Sequence, residues 1–532
     1  MSLNPPLEFL QQVFADPAWP HVALLLRWVF LGGFARVLMQ MKIRRSGTVY
    51  PRLSTFWRLG VGLCFLLIAV RQAHWQLLGR RNPEFVSFMQ RYDRREFNPA
   101  HRVRAGRILD REGRTLAMSR VTPRGVRRVY PYGPIFSHVI GYNDPIYGLS
   151  GIESGGRRHL LGQQPLQSRD AWVALGAELL DREGYAEGPP LRTTLDLAMQ
   201  RRAGELLGDQ RGAVVVMDIA SGDLLAMVSH PAFDPNRLVD PLFAGRMPHS
   251  PLLNRAVAGQ YPPGSVFKVL IAAAALQDGF TGTLDTPPDG FTTSAANPRI
   301  RDHNYYEARE KGQTWRGHGR IGLGEALAKS SNVFFAQLGI ATGAEALLRA
   351  TRAAGLYQGF SLWEGSDATL RVKAAAVPEL KDSQPYDIAQ FSIGQGDLLV
   401  NPLQVCMITA AVANRGLVVK PRLNPDQPVE MLGRLCGPEQ ADTLKWMMYK
   451  VVQEGTGRGI RMTELAVAGK TGTAQTGVGR PSHAWFTGFA PVSEPRWAFC
   501  VLVEEGGYGS SAALPIARDL LRSGIQEGWL RL

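Results

Sequence analysis

Cysteine is scarce in this chain of 532 residues: Cys64, Cys406, Cys436 and Cys500 are the four, and none pairs in a CxxC. Neither a zinc site nor a disulfide framework is indicated by that spacing. The ten histidines form no HExxH or comparable ligand pair. Low-complexity tracts and internal repeats are missing, and 45% hydrophobic with 20% charged residues is a globular balance. At this length two or more domains are expected. A phosphate loop is missing as well. Gly469–Lys470–Thr471 would need a glycine five residues before Gly469, and Glu464 stands there.

Acidic residues are outnumbered, 46 against 60 lysines and arginines, for a net charge of +14. Spread evenly, that excess would suit nucleic acid. It is not even. Lys42, Arg44, Arg45, Arg52 and Arg58 lie in a stretch with no acidic residue, directly before the apolar run Leu59 to Val70. With Phe56–Trp57 before it and Ala73–Leu78 after it, the run reaches the roughly 20 residues a membrane helix needs. Arg58 and Arg71 would snorkel to the two interfaces beside Trp57 and Trp75. Basic residues favour the cytoplasmic side, so 42–58 is expected inside and everything beyond about residue 79 outside. The segment lies too far from Met1 for an ordinary cleaved signal peptide. A second stretch, Trp19–Met41, has membrane length but carries Arg27 and Arg36 on opposite faces. It either spans or lies in the interface. Arg91 to Arg114 is again arginine-rich, a solvated or lipid-facing juxtamembrane stretch.

The Pro-rich break at Glu187–Pro190 marks a boundary. The expected domains are 1–53 (N-terminal segment, with the possible extra helix 19–41), 54–78 (anchor), 79–189 and 190–532. In the last of these, an extended entry at Leu191 leads into a helix with Leu195, Ala198, Met199, Ala203, Leu206 and Leu207 on one face. Gly212–Pro231 reads as two β-rich runs around Ser221–Gly222, a hairpin signal. Leu465–Gln475, Ala484–Val492 and Trp497–Glu504 are three later strand candidates, with long helical stretches in between. Strands at both ends and helices between them predict an α+β domain whose sheet is closed by distant segments.

The apolar helix opening at Gly264 is interrupted by Ser265 and Lys268, three residues apart and so on the same side. Downstream come Ser330 and Asn332 at a helical turn, then Lys470–Thr471–Gly472 with Thr473 on a strand. Alone, S-x-x-K is common by chance, and Ser330 or Asn332 would pass as a cap or a buried amide. S-x-x-K, S-x-N and K-T-G in this order are the signature of penicillin-recognising serine enzymes. The chemistry accounts for the residue types. A serine hydroxyl needs a base within reach. A lysine serves only when neutral, so burial and a second cation must lower its pKa. The apolar helix around Lys268 supplies burial, and Lys470 is expected to supply the second charge. The helix N-terminus beneath Ser265 adds positive potential where anionic character develops.

With these motifs the sequence resembles the class B penicillin-binding proteins, membrane-anchored peptidoglycan D,D-transpeptidases, from about residue 54 onward. Arg104–Ala117 resembles the family's R-G-x-I-x-D-R-x-G-x-x-L-A. Tyr130–Tyr142 and Gly148–Glu153 resemble the rest of its non-catalytic pedestal. Ser392–Gly396, Asn401–Gln404 and Glu454–Gly457 match transpeptidase signatures. Ala105 stands where arginine is usual, Val266 where threonine is common, and Asn401 where threonine is usual. The pedestal is short for the class. No glycosyltransferase domain is seen, which disfavours the bifunctional class A.

The resemblance implies a penicillin-binding/β-lactamase-like domain: an antiparallel sheet flanked by helices, a helical subdomain, a short extended pedestal and an N-terminal membrane helix or helices. It implies that Lys268 takes the proton of Ser265, which attacks the carbonyl between two terminal D-alanines of a stem peptide. Backbone N–H groups of Ser265 and Thr473 would form the oxyanion hole, and Ser330 would relay a proton to the departing D-alanine. Asn332 would orient Lys268 and the substrate amide, while Lys470, Thr471, Gly472 and Thr473 would hold the substrate. No metal or organic cofactor and no nucleic acid is implied. The implied partners are the membrane, a SEDS-type membrane glycosyltransferase, and β-lactams as covalent inhibitors, with the catalytic domain on the periplasmic or extracellular side. Two other functions use the same motifs: a β-lactam hydrolase or sensor, and an idle scaffold of a wall-synthesis complex.

Overall fold

In the computed structural model the described residues are Leu66, 103–122, 125–162, 186–365, 368–477 and 479–530. Apart from Leu66, the expected membrane stretches 19–41 and 54–78 lie outside them. Among the described residues no single helix is long and apolar enough to cross a membrane. The chain divides into two compact units, Met1–Met89 and Gln90–Leu532. Every element below belongs to the second.

The first part of that unit is a small sheet. Strands β1 (Ile108–Leu109), β2 (Thr115–Thr122), β3 (Gly125–Val129) and β4 (Leu191–Arg192) lie in the order β3-β2-β1-β4. The turn between β1 and β2 is closed by Asp110, whose buried carboxylate accepts from the backbone N–H of Glu112 and Arg114 at 2.9 and 2.7 Å. The same carboxylate accepts from Leu197 N at 3.2 Å, tying this sheet to the next helix. A buried ion pair spans the layer. Arg128 Nε donates to Glu153 at 2.6 Å, and Arg128 Nη1 donates to the carbonyls of Ala105 and Gly106 at 2.9 and 2.8 Å.

The main sheet has five antiparallel strands: β5 (Gly212–Asp218), β6 (Leu224–His230), β7 (Ala468–Ala474), β8 (His483–Ala490) and β9 (Trp497–Val503), in the order β6-β5-β9-β8-β7. All five were legible as strands within a few residues. The β5–β6 hairpin turns at the expected Ser221–Gly222. Asp218 accepts from the N–H groups of Ala220 and Ser221 there, and Gly222 takes a φ of +76° against the Lys420 carbonyl. The central strands are apolar on both faces, because the pleat sends alternate residues to different cores. Ala213, Val215 and Met217 join one core; Val214 and Val216 join the other.

Helices cover both faces. Helix α1 (Leu197–Leu207), capped by Asp196, packs with the C-terminal helix on the side of Val214 and Val216. The other core holds α2 (Lys268–Gln277), α3 (Leu323–Lys329), α4 (Asn332–Thr342), α5 (Ala344–Ala353), α6 (Pro385–Ser392), α7 (Pro402–Ala413) and part of α8 (Pro438–Gln453). The C-terminal helix is α9 (Ala513–Gln526). Helix α7 is buried along its whole length against β9, β8 and β5. Its N-cap is Asn401, whose side chain and that of Gln404 bond each other's backbone N–H, both at 3.0 Å. Asparagine caps as well as the threonine usual there, so the departure leaves the helix start intact.

Candidate active site

Ser265 is carried on a tight 3-10 turn, Gly264–Phe267, and the α-helix proper begins at Lys268. The sequence predicts one continuous helix start; the tighter turn reflects what pins it. Gly264, at φ +55°, donates its N–H to the Gly394 carbonyl at 2.8 Å, and a Cβ on it would meet the Thr473 carbonyl at 2.6 Å. A Cβ on Gly394 would in turn lie 2.1 Å from the Gly264 carbonyl. Upstream, Tyr261 exchanges both backbone hydrogen bonds with Val400, and Trp485 Nε1 donates to Pro262 O at 3.1 Å. The serine's turn is thus clamped between the Ser392–Gly396 loop and β7, and Ser265 itself stays partly accessible.

Lys268 and Lys470 are both fully buried, and both reach Ser330. Lys268 Nζ donates to the Ser330 carbonyl and to Asn332 Oδ1, each at 2.7 Å, and lies 5.5 Å from the centre of the Phe335 ring. Lys470 Nζ donates to Ser330 Oγ at 2.7 Å and to the Thr471 carbonyl at 3.0 Å. Ser330 can meet both because it is not within a helical turn. It ends α3 in the left-handed region, φ +58° and ψ +36°, before α4 restarts at Asn332. A non-glycine residue held there costs on the order of 1–3 kcal/mol, a strain that gathers at functional sites.

Burial lowers the Lys268 ammonium to about 7, with Asp302 opposing the shift. Lys470, the expected source of a depressing charge, is itself pushed well below its ordinary value, first by burial and then by Lys268. Two buried cations at one serine cannot both be comfortable.

Thr471, Gly472 and Thr473 follow Lys470 along β7, one of the two edge strands of the sheet. Thr471 Oγ1 lies 2.6 Å from Thr456 Oγ1, which gives the Glu454–Gly457 signature a contact role. Gly472 leaves no room for a side chain: a Cβ would sit 2.9 Å from Val266 Cγ1 and 3.0 Å from Trp485 Cβ. Thr473 Oγ1 accepts a long bond from Gly509 N at 3.5 Å.

Several participants were invisible in the sequence pattern. Asp302 lies under the Ser330–Asn332 segment and accepts from Ser331 Oγ at 3.0 Å and from Val333 N at 3.1 Å. Tyr261 and Arg255 both donate to Glu504 Oε1, at 2.7 and 2.8 Å, bracing the approach to the Ser265 turn. The described cysteines, Cys406, Cys436 and Cys500, are free and buried. Among the described residues no group of three or more His, Cys, Asp or Glu side chains is placed to hold a metal ion.

Residues 212–522 match the penicillin binding protein transpeptidase domain, and residues 105–178 match the penicillin binding protein A dimerisation domain. The peptidoglycan D,D-transpeptidase PbpA of Mycolicibacterium smegmatis is 32% identical over 453 residues, 78% of this chain and 88% of that protein. The peptidoglycan D,D-transpeptidase MrdA of Acinetobacter baumannii is 30% identical over 451 residues, covering 73% and 64%. Among solved structures, the ceftriaxone acyl-enzyme complex of penicillin-binding protein A from M. tuberculosis superposes with a TM-score of 0.69. It is 29% identical and covers 80% of this chain and 98% of that one. The chain therefore belongs to the penicillin-binding protein transpeptidase family.

Proposed function

We propose that this protein is a class B penicillin-binding protein, a membrane-anchored peptidoglycan D,D-transpeptidase. Residues 190–532 carry the catalysis, 79–189 form a non-catalytic pedestal, and 54–78 anchor both on the outer side of the cytoplasmic membrane. The observation that carries the reading is the meeting of Lys268 and Lys470 at Ser330. A neutral amine has two N–H bonds, and Ser330 O and Asn332 Oδ1 accept both. Its lone pair is then left to take a proton.

In this mechanism Lys268 takes the proton of Ser265, and Oγ bonds to the carbonyl carbon between two terminal D-alanines. The developing oxyanion is met by the N–H groups of Ser265 and Thr473. The carbonyl–nitrogen bond breaks, and the departing D-alanine receives a proton through Ser330, which Lys470 holds by its hydroxyl. The substrate's carboxylate lies against Lys470, Thr471 and Thr473, and its negative charge favours the protonated form of Lys470 that burial disfavours. Gly472 keeps the strand free of a side chain at that point. An amine of a neighbouring stem peptide then attacks the ester, forms the cross-link and returns the proton to Ser265.

A β-lactam presents a similar acyl group, so its ring opens on Ser265 and leaves an ester. Intact mass spectrometry after brief penicillin exposure should show one adduct lasting many minutes and absent from Ser265→Ala. Antibiotic turnover within seconds would favour a hydrolase. A folded protein with no adduct would favour an idle scaffold. The anchor is tested by a phosphatase fusion, active after about residue 80 and inactive near residue 48; the reverse pattern sinks the topology. Polymerised glycan would come from a SEDS-type glycosyltransferase in the same membrane, which should co-purify with the full chain. Its absence from such preparations would remove that partner.

A further inference from the structure

Asp302 occupies the N-cap position of the short helix His303–Glu310 but makes no side-chain bond to it. Its buried carboxylate turns to a different helix. Both oxygens accept from Ser331 Oγ at 3.0 Å, and Oδ1 accepts from Val333 N at 3.1 Å, in the first turn of α4. The residue before it acts on the same turn: Asn332 Nδ2 donates to the Arg301 carbonyl at 3.0 Å. Arg301 and Asp302 thus hold three consecutive residues, Ser331, Asn332 and Val333, and Asn332 in turn receives the Lys268 amine.

We propose that Asp302 is a positioning residue for acylation, holding Asn332 against Lys268 and placing a buried negative charge behind the lysine. The inference rests on Lys268 being the base, as argued above. The groups bearing on the charge balance are few. Lys268 faces Ser330, Asn332 and Phe335, and its charge lowers Lys470, which reaches the same serine. Asp302 faces Ser331 and also the buried imidazole of His318, whose Nε2 lies 3.6 Å from Oδ2; Lys329 and Glu325 act on that imidazole with opposite signs. Burial alone would strip Lys268 of its proton at still lower pH, and Asp302 opposes this. A base poised near the working pH retains driving force for proton transfer, whereas one lowered too far is a weaker base.

The test is the pH dependence of acylation by a fluorescent penicillin, measured as the second-order rate constant on the full chain. The wild type should rise with pH and level off above a midpoint near 7. Asp302→Asn keeps the shape and acceptor oxygen but loses the charge, so its midpoint should move to lower pH. Below the midpoint, each half unit of movement raises the rate, relative to the variant's own plateau, by a factor of roughly three. Asp302→Glu keeps the charge and should keep the wild-type midpoint even if its plateau falls. Ser331→Ala removes a hydrogen bond without changing charge and should keep it too. A merely structural role would lower plateaus and leave all midpoints alone. An unmoved midpoint in Asp302→Asn overturns the proposal, as does an equal movement in Ser331→Ala. If Asp302→Asn does not fold, Asp302→Ser replaces it; failure of both neutral variants to fold would make Asp302 a folding element and overturn the proposal. A wild-type profile without a limb near 7 would count against Lys268 as the base, whereas a normal limb that neutral substitution leaves in place counts against Asp302 alone.

Discussion

In the small sheet region before the transpeptidase domain, Arg128 and Glu153 are buried together as opposite charges, 2.6 Å apart. In the catalytic domain, Lys268 and Lys470 are buried together as like charges, sharing Ser330. Both arrangements take ionisable groups out of water, which is costly unless the charge is compensated. The Arg128–Glu153 pair compensates internally, and Arg128 spends further donors on the carbonyls of Ala105 and Gly106. The lysine pair cannot, so burial and repulsion act on its protonation instead. One cluster pairs opposite charges and ties Glu153 to the strand of Arg128. The other is pushed toward neutral amines, the form a base of the proposed kind needs.

The largest expected effect breaks the chemical side of this contrast. Lys268→Met leaves Ser265 on its clamped turn but removes the amine. Acylation by penicillin should fall by about 10²–10⁴-fold, the range lost with a general base. Acylation within a few-fold of wild type would mean that another group takes the serine proton.

The next effect breaks the architectural side. Glu153→Ala leaves Arg128 buried without its counter-charge, and breaking such a pair typically costs about 3–5 kcal/mol. The unfolding midpoint in denaturant should drop accordingly, while the acylation rate per folded molecule stays near wild type. A loss below about 1 kcal/mol would show that water or the nearby carbonyls already compensate Arg128.

The residues on the lysine side of this contrast are legible in the sequence; the Arg128–Glu153 pair is not. Strand runs such as Ala213–Met217 and Ala498–Val503 announce themselves by apolar continuity, and Ser265, Lys268, Ser330, Asn332 and Lys470 by their motifs. The geometry between motifs was not. The segment "KSSN" contains no glycine to signal a left-handed residue, so Ser330 read as part of a helical turn. Asp302 lies 30 residues before Asn332, and no period or spacing links them. The direction of the electrostatic effect was equally hidden. From sequence, burial and the Lys470 charge together depress Lys268; in the fold, burial does so and Asp302 opposes it. Motifs record which groups meet, whereas depth and counter-charges depend on distant chain.

The smallest effect sharpens the comparison, because its sign is opposite in the two regions. Removing the buried charge partner of Arg128 should destabilise; removing Lys268 should stabilise. In the unfolded chain this amine is protonated up to its ordinary value near 10.5, whereas in the folded protein it loses its proton above about 7. Between pH 7 and 10 the unfolded state therefore binds more protons, and wild-type stability rises with pH across that window. Below 7 both states are protonated and the lysine adds no slope. At pH 7 the depression opposes folding by roughly 4 kcal/mol. Lys268→Met escapes this but forfeits the bonds to Ser330 O and Asn332 Oδ1, about 1–2 kcal/mol together. A net gain of about 2 kcal/mol at pH 7 should remain, shrinking toward pH 10, where the methionine variant lacks the wild-type slope. Denaturant titrations of both proteins at pH 7 and pH 9.5 measure it. A variant less stable than wild type at pH 7, or a gap that widens with pH, would show that Lys268 is held by its partners more strongly than burial repels it.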